Sequence, residues 1–209
     1  ANTLAHAMAA GAANGAVVSA LGIFDQGFYD RLGYGSLDIM RLIRFDPKDI
    51  RGDTIARSPL RFTEKDVDEI HAARSRRWLR HGGIHFDSAK RTLADMQECT
   101  NGIGFGYRDH PDGGISHMIW FSRKDAENGP YRVIFTVWET REQLRELMAF
   151  LHSLADQVHL VVMEEPPGIA LQDFIHRPLR SRAITKKSKY ETGITAMTYQ
   201  QARIVNLQA

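Results

Sequence analysis

Leu21-Gly-Ile-Phe-Asp-Gln-Gly-Phe-Tyr-Asp-Arg-Leu-Gly-Tyr-Gly35 decides how the first part of the chain folds. An apolar run, Ala16 to Leu21, precedes it and reads as a short buried strand. Phe28 to Leu32 has the composition of one or two helical turns. Gly33 stops them, and Gly35 keeps the exit open. From Leu37 the pattern alternates: Leu37, Ile39, Ile43 and Phe45 point one way, Asp38, Arg44 and Asp46 the other, as in a half-buried strand. Upstream, residues 3 to 14 favour a helix with Leu4, Ala5, Met8 and Ala12 on one face and Asn14-Gly15 as its cap. The stretch therefore reads strand, aromatic turn, strand, and it presents the ring and hydroxyl of Tyr29 on the turn.

Beyond Asp46-Pro47 and Arg51-Gly52-Asp53, which read as a connector, a second unit begins near Arg57. Pro59 to Phe62 reads as a short strand. Thr63 with Asp66 caps a helix running to about Arg80, and Ser88 to Glu98 is a further helical stretch. Gly102 to Arg108, Ile115 to Arg123 and Tyr131 to Trp138 are strands joined by turn-forming sequences. Thr140 and Gln143 form a capping box. Behind it Leu144, Leu147, Met148, Leu151 and Leu154 make an apolar helical face. Val158 to Met163 is a buried strand ended by Pro166-Pro167, and Ala170 to Ile175 is a short helix. The tail from Arg177 is basic and weakly patterned. The fold class is α/β, of the α+β type.

The chain of 209 residues is long enough for one or two domains, with 43% hydrophobic and 25% charged residues, as in ordinary globular proteins. Its net charge of +2 gives no argument for nucleic acid. No apolar run reaches the about 18 to 20 residues that cross a membrane. The single Cys99 excludes an internal disulfide and suits a reducing cytoplasm. The chain begins without Met and ends on Arg203-Ile-Val-Asn-Leu-Gln-Ala209, which reads as a strand starting; both ends suggest a piece of a longer protein.

The Phe-Tyr turn with its Leu-Gly-Tyr exit resembles the closing motif of the GNAT N-acetyltransferases, whose tyrosine sits beside the thioester sulfur of acetyl-CoA. The order of elements after Arg57 is similar to the same family. The chain as a whole resembles the multi-domain group typified by the "enhanced intracellular survival" aminoglycoside acetyltransferases. The resemblance implies a GNAT-like mixed sheet flanked by helices. It divides the chain into 1–46, the C-terminal part of a first GNAT domain; 57–178, a central GNAT-like domain; and 179–209, a connector toward a following domain. It further implies acetyl-CoA as co-substrate, an amine of a small molecule or peptide as acceptor, and direct attack by that amine. Tyr29 would be the general acid, since a phenol can give a proton to a leaving thiolate; no base is identified. The family's R/Q-x-x-G-x-G/A loop, which cradles the pyrophosphate, would lie before the first helix and is absent here. A non-catalytic GNAT-shaped binding or assembly module is the alternative. Strand faces left without sheet neighbours in 1–46 imply either self-association or a rebuilding of these residues around the second unit. No metal, nucleic-acid or membrane partner is expected.

Other motifs read more simply. Gly102-Ile-Gly-Phe-Gly106 is a strand with one glycine face that lets a neighbour approach, rather than a nucleotide loop. His81, His85, His110 and His117 lack metal-ligand spacing and read as solvated loop residues. Tyr34 packs at a strand start, and Asp109-His110-Pro111-Asp112 is a polar turn. Arg74-Ser-Arg-Arg-Trp-Leu-Arg80 is either a phosphate-touching patch or the basic end that a helix C-terminus favours. Glu164-Glu165 reads as a solvated strand end, or as carboxylates placed to meet a cationic amine.

Overall fold

Alternate glycines in one strand and a tryptophan opposite them set the centre of the larger unit. In the computed structural model, which describes residues 2–25, 27–52, 54–81, 88–178 and 182–206, contacts group the chain into two units. One comprises Leu42–Thr195, the other Ala1–Arg41 with Ala196–Ala209. This grouping differs from the division at 46 and 57 expected from the sequence.

In chain order the elements are α1 (Asn2–Ala13), β1 (Val18–Gly22), β2 (Gly35–Ser36), β3 (Met40–Phe45), β4 (Leu60–Phe62), α2 (Val67–His81), α3 (Ala89–Gln97), β5 (Ile103–Tyr107), β6 (His117–Arg123), β7 (Tyr131–Val137), α4 (Arg141–Ser153), β8 (Val161–Glu164), β9 (Gly193–Met197) and β10 (Gln200–Ile204). Strands β4 to β7 are consecutive antiparallel neighbours, β8 runs parallel to β7, and β3 antiparallel to β8. With β9 they form a seven-stranded mixed sheet in the order β4-β5-β6-β7-β8-β3-β9. The larger unit is thus a mixed sheet flanked by helices, the α+β class expected.

Helices cover this sheet for reasons legible in their sequences. Thr63 and Asp66 close a capping box before α2, and Thr140 and Gln143 close another before α4. Leu144, Leu147, Met148, Phe150 and Leu151 of α4 bury against Ile43, Phe45, Ile119, Phe121, Val133, Val161 and Met163 on one face. Ile70 and Ala73 of α2 and Met96 of α3 pack on Met118, Trp120, Phe135 and Val137 on the other. The glycine reading holds: a Cβ at Gly104 would lie 2.8 Å from the Trp120 ring, and one at Gly106 only 2.5 Å from the His117 carbonyl oxygen. Both neighbours reach the strand because no side chain stands there.

Two irregularities shape β7. Its register with β6 shifts between Trp120, opposite Phe135, and Phe121, opposite Val133. Ile134 is the extra residue of a bulge, so Val133 and Phe135 serve opposite faces of the sheet. The parallel pairing with β8 is confined to Tyr131–Val161 and Arg132–Val162.

The smaller unit is a three-stranded antiparallel sheet in the order β1-β10-β2, with α1 before it. Gly15, at φ 86°, follows α1 as expected. Three readings need correction. β1 is half exposed, its residues alternating between exposed and partly buried, because the sheet offers it one neighbour only. Leu37 and Ile39 are exposed and precede β3, whose alternation begins at Met40. The tail expected to be weakly patterned holds β9 and β10, the latter a central strand. Among the described residues, no helix is long and apolar enough to cross a membrane.

Candidate functional site

In the smaller unit the segment after β1 turns sharply, with Gly27 at φ 99° and Gly33 at φ 78°, conformations open to glycine. A 3-10 turn, Asp30–Leu32, follows Tyr29. The Tyr29 carbonyl accepts hydrogen bonds from the backbone N–H groups of Leu32 (2.8 Å) and Tyr34 (3.3 Å), which fixes the backbone beneath the phenol. The Tyr29 ring is edge-on to three others, with centroids 5.0 Å from Phe28, 5.5 Å from Phe24 and 5.9 Å from Tyr34. Among the described residues its hydroxyl has no hydrogen-bond partner, whereas the buried Tyr34 shares its hydroxyl with Ser19 Oγ at 2.6 Å.

Strand β10 bolts this turn to the sheet. Gln201, fully buried, donates from Nε2 to Asp30 Oδ1 (2.7 Å), and the Arg203 guanidinium donates to the Leu32 carbonyl. Neither residue carries a sequence signal, since each lies 171 positions from its partner.

In the larger unit α4 follows β7, and a helix N-terminus can hold an anion such as a pyrophosphate. The residues present do not fit that group. Gln143 Oε1 already accepts from the amides of Glu139 (2.7 Å) and Thr140 (3.2 Å), and Thr140 Oγ1 accepts from the Gln143 amide (3.2 Å). The first turn also carries Glu142, and Glu139 stands before it. With these three amides already bonded and two carboxylates beside them, the helix start is poorly suited to cradle an anion.

Beside that helix lies a polar cluster that local sequence patterns do not reveal. His117, expected to be a solvated loop histidine, is fully buried on β6. Its Nε2 is 3.0 Å from Glu146 Oε2 and its Nδ1 is 2.9 Å from Ser116 Oγ. The imidazole stacks on Tyr107, and the Arg57 guanidinium lies 5.1 Å from the Tyr107 centroid. Arg57 grips Glu146 through Nε–Oε1 (2.8 Å) and Nη2–Oε2 (2.7 Å) and reaches Asp109 Oδ1 (3.0 Å), whose other oxygen accepts from Gln143 Nε2 (2.8 Å). Asp109, read as part of a polar turn, is thus a member of this cluster, whereas its neighbour His110 is exposed.

The electrostatics follow from burial and pairing. Desolvation holds the His117 pKa below its ordinary value against the pull of Glu146. The hydrogen bonds from Arg57 hold Glu146 below the usual carboxylate range. For Asp109 burial acts upward, but bonds from Gln143 and Arg57 outweigh it, and its pKa is also lowered. Burial, with Glu146 second, pushes the Tyr107 phenol up to about 12. The one Ser116 hydroxyl proton faces both the Tyr107 carbonyl and His117 Nδ1, each at 2.9 Å, so a neutral His117 that donates from Nε2 to Glu146 leaves one of those two contacts without a proton.

All three groups make folding acid-sensitive. A histidine whose folded pKa is depressed binds its proton more readily unfolded, so its contribution is present above pH 6.5 and is lost as pH falls through that value. The depressed carboxylates contribute above their ordinary 4.5 and 3.8 and lose that contribution as pH falls further. We expect the urea midpoint to fall between pH 7.5 and 5.5, and again toward pH 4. In His117→Gln the first drop should shrink; an equal drop in that variant would exclude His117 as its source.

Of the remaining sequence candidates, Arg74, Arg76 and Glu165 are structural. Arg74 is buried over the Phe135 ring at 4.1 Å and pairs with Asp95 at 2.9 Å, and Arg76 pairs with Glu139. Glu165 accepts from the Leu171 amide, capping the 3-10 turn Leu171–Phe174. The His81 side chain and His85 lie outside the described residues.

Comparison with known proteins places the fold. No family model matches the sequence. No curated protein matches it. Among solved structures, the chain is similar to a GCN5-related N-acetyltransferase from Anabaena variabilis, with TM-score 0.69, 15% identity, 97% of this chain and 49% of that one covered. It is similar also to Eis1 from Mycobacterium abscessus, with TM-score 0.67, 14% identity, and 97% and 51% covered. A third is a GCN5-related N-acetyltransferase from Kribbella flavida, with TM-score 0.63, 16% identity, and 95% and 46% covered. The chain therefore has the fold of GCN5-related N-acetyltransferases and spans about half the length of the structures it matches.

Proposed function

We propose that the protein transfers an acetyl group from acetyl-CoA to an amine of a small molecule or peptide, with Tyr29 as the acid. The observation that carries this reading is the fixed phenol on the turn after β1. Its carbonyl is doubly bonded, its ring is held by three aromatic neighbours, and its hydroxyl is left without a partner among the described residues. The likeness to structures named GCN5-related N-acetyltransferases supports it. In direct transfer the amine attacks the thioester carbonyl, its nitrogen releases a proton to solvent, the C–S bond breaks, and the phenol hands its proton to the departing thiolate and regains one from solvent. The occupied N-terminus of α4 favours a second role for the larger unit, a binding or assembly module that keeps the shape without holding the donor. Tyr29→Phe keeps the ring and removes the proton. We expect kcat for amine acetylation to fall about 10²-fold with little change in KM. An unchanged kcat would make Tyr29 a packing residue.

A further inference from the structure

The turn that carries Tyr29 is laid over one face of the small sheet. In antiparallel strands directly opposed residues point to the same side, and so does every second residue along a strand. Ser19 of β1 stands opposite Arg203 of β10, and Gln201 stands opposite both Leu21 of β1 and Ser36 of β2. Ser19, Gln201, Arg203 and Ser36 therefore share one face, with Gln201 between the strand that enters the turn and the strand that leaves it. Alternate residues of the turn are held from that face. Asp30 Oδ1 accepts from Gln201 Nε2 at 2.7 Å, the Leu32 carbonyl accepts from the Arg203 guanidinium, and the Tyr34 hydroxyl lies 2.6 Å from Ser19 Oγ. Gly33 leaves room for the arginine, since a Cβ there would stand 3.4 Å from its guanidinium.

Asp30 follows Tyr29 directly, so the bond from Gln201 acts on the residue next to the phenol. Gln201 is fully buried, and its Oε1 has no hydrogen-bond partner among the described residues. Burying an amide is costly, and a methionine of similar length would fill the space without that cost. What the amide adds is its donor end, spent on a carboxylate, the stronger kind of hydrogen bond. The Tyr29 ring itself touches Phe24 and Phe28, which belong to the same segment and move with it. Those contacts hold the ring within the turn; the side chains of β10 and Ser19 hold the turn against the sheet.

We propose that Gln201 is a positioning residue for Tyr29, setting through Asp30 where the phenol stands over the sheet; this rests on the reading of Tyr29 as the acid. Gln201→Met keeps length and burial and removes the donor. Asp30→Ala removes the acceptor from an exposed position, so the same bond is lost without touching the sheet interior. With acetyl-CoA and benzylamine, each variant should lower kcat about tenfold with little change in KM, as for losing a hydrogen bond to a charged group. The two together should cost no more than either alone. In a Tyr29→Phe background Gln201→Met should cost less than about twofold, since the group it positions is gone. An equal loss in both backgrounds, or no loss in Gln201→Met and Asp30→Ala while Tyr29→Phe is slow, would overturn the proposal. A Tyr29→Phe protein with unchanged kcat would instead refute the acid. Amide hydrogen exchange supplies a reading independent of turnover. The Leu32 and Tyr34 amides should exchange about tenfold faster or more in Gln201→Met, with those of β6 and β7 unchanged. Unaltered exchange at Leu32 and Tyr34 would overturn the anchoring whatever the activity.

Discussion

Gly106→Ala should remove about 3 kcal/mol or more of stability. The added methyl would meet the His117 carbonyl oxygen at 2.5 Å, the Met118 Cβ at 2.5 Å and the Met118 Cα at 2.9 Å. These are atoms of the neighbouring strand itself, so no rotamer change relieves the contact, and β5 must move away from β6. Moving it pulls Tyr107 off His117, and with them the cluster that joins Arg57 to Glu146. Domains are commonly stable by about 5–15 kcal/mol, so the variant should unfold at much lower urea or fail to accumulate. A midpoint shift equivalent to less than about 1 kcal/mol would mean that the two strands separate far more easily than their packing implies.

Trp120→Ala should cost about 3–5 kcal/mol, the range for deleting a fully buried aromatic side chain. Trp120 has no exposed surface, stacks on Phe135 with centroids 6.1 Å apart and planes 9° apart, and packs against Gly104. The opposing glycine has no side chain to fill the void, and Phe135 is held by Arg74. Trp120→Phe leaves a smaller cavity and should lose clearly less. Calorimetric unfolding of both variants checks the ranking, and equal losses would mean that the indole ring is not what the glycine face accommodates.

What is legible in the sequence is local. The Thr140–Gln143 box lies within one turn, and the leucines behind it repeat at helical spacing, so α4 can be recognised from its residues alone. Alternate glycines in β5 announce a close neighbour, though not that the neighbour is Trp120. Gly33 announces the end of the turn that carries Tyr29. What is not legible is long-range. His117 looks like a turn residue because a glycine pair and a serine precede it; its burial depends on Glu146, 29 residues on, and on Arg57, on a different segment. Its one visible hint is its place at the head of an apolar run from Met118 to Phe121. The bulge at Ile134 has no sequence mark, since Val133, Phe135 and Val137 alternate as in a regular strand. Gln201 and Arg203 look like solvated tail residues because their partners stand at the other end of the chain.

That last pairing bears on how the protein is made. Among the described residues, β1 and β2 do not pair with each other; each pairs with β10. During synthesis the first strands leave the ribosome long before the strand that joins them, and the whole Leu42–Thr195 unit is produced in between. The larger unit has short-range hairpins and can fold as it emerges. The smaller one must close a loop across nearly the entire chain, which is slow because the entropy of closure comes before any bond rewards it. Until then the turn bearing Tyr29 lacks Gln201 and Arg203, so it is tied to its sheet only after the larger unit has been made.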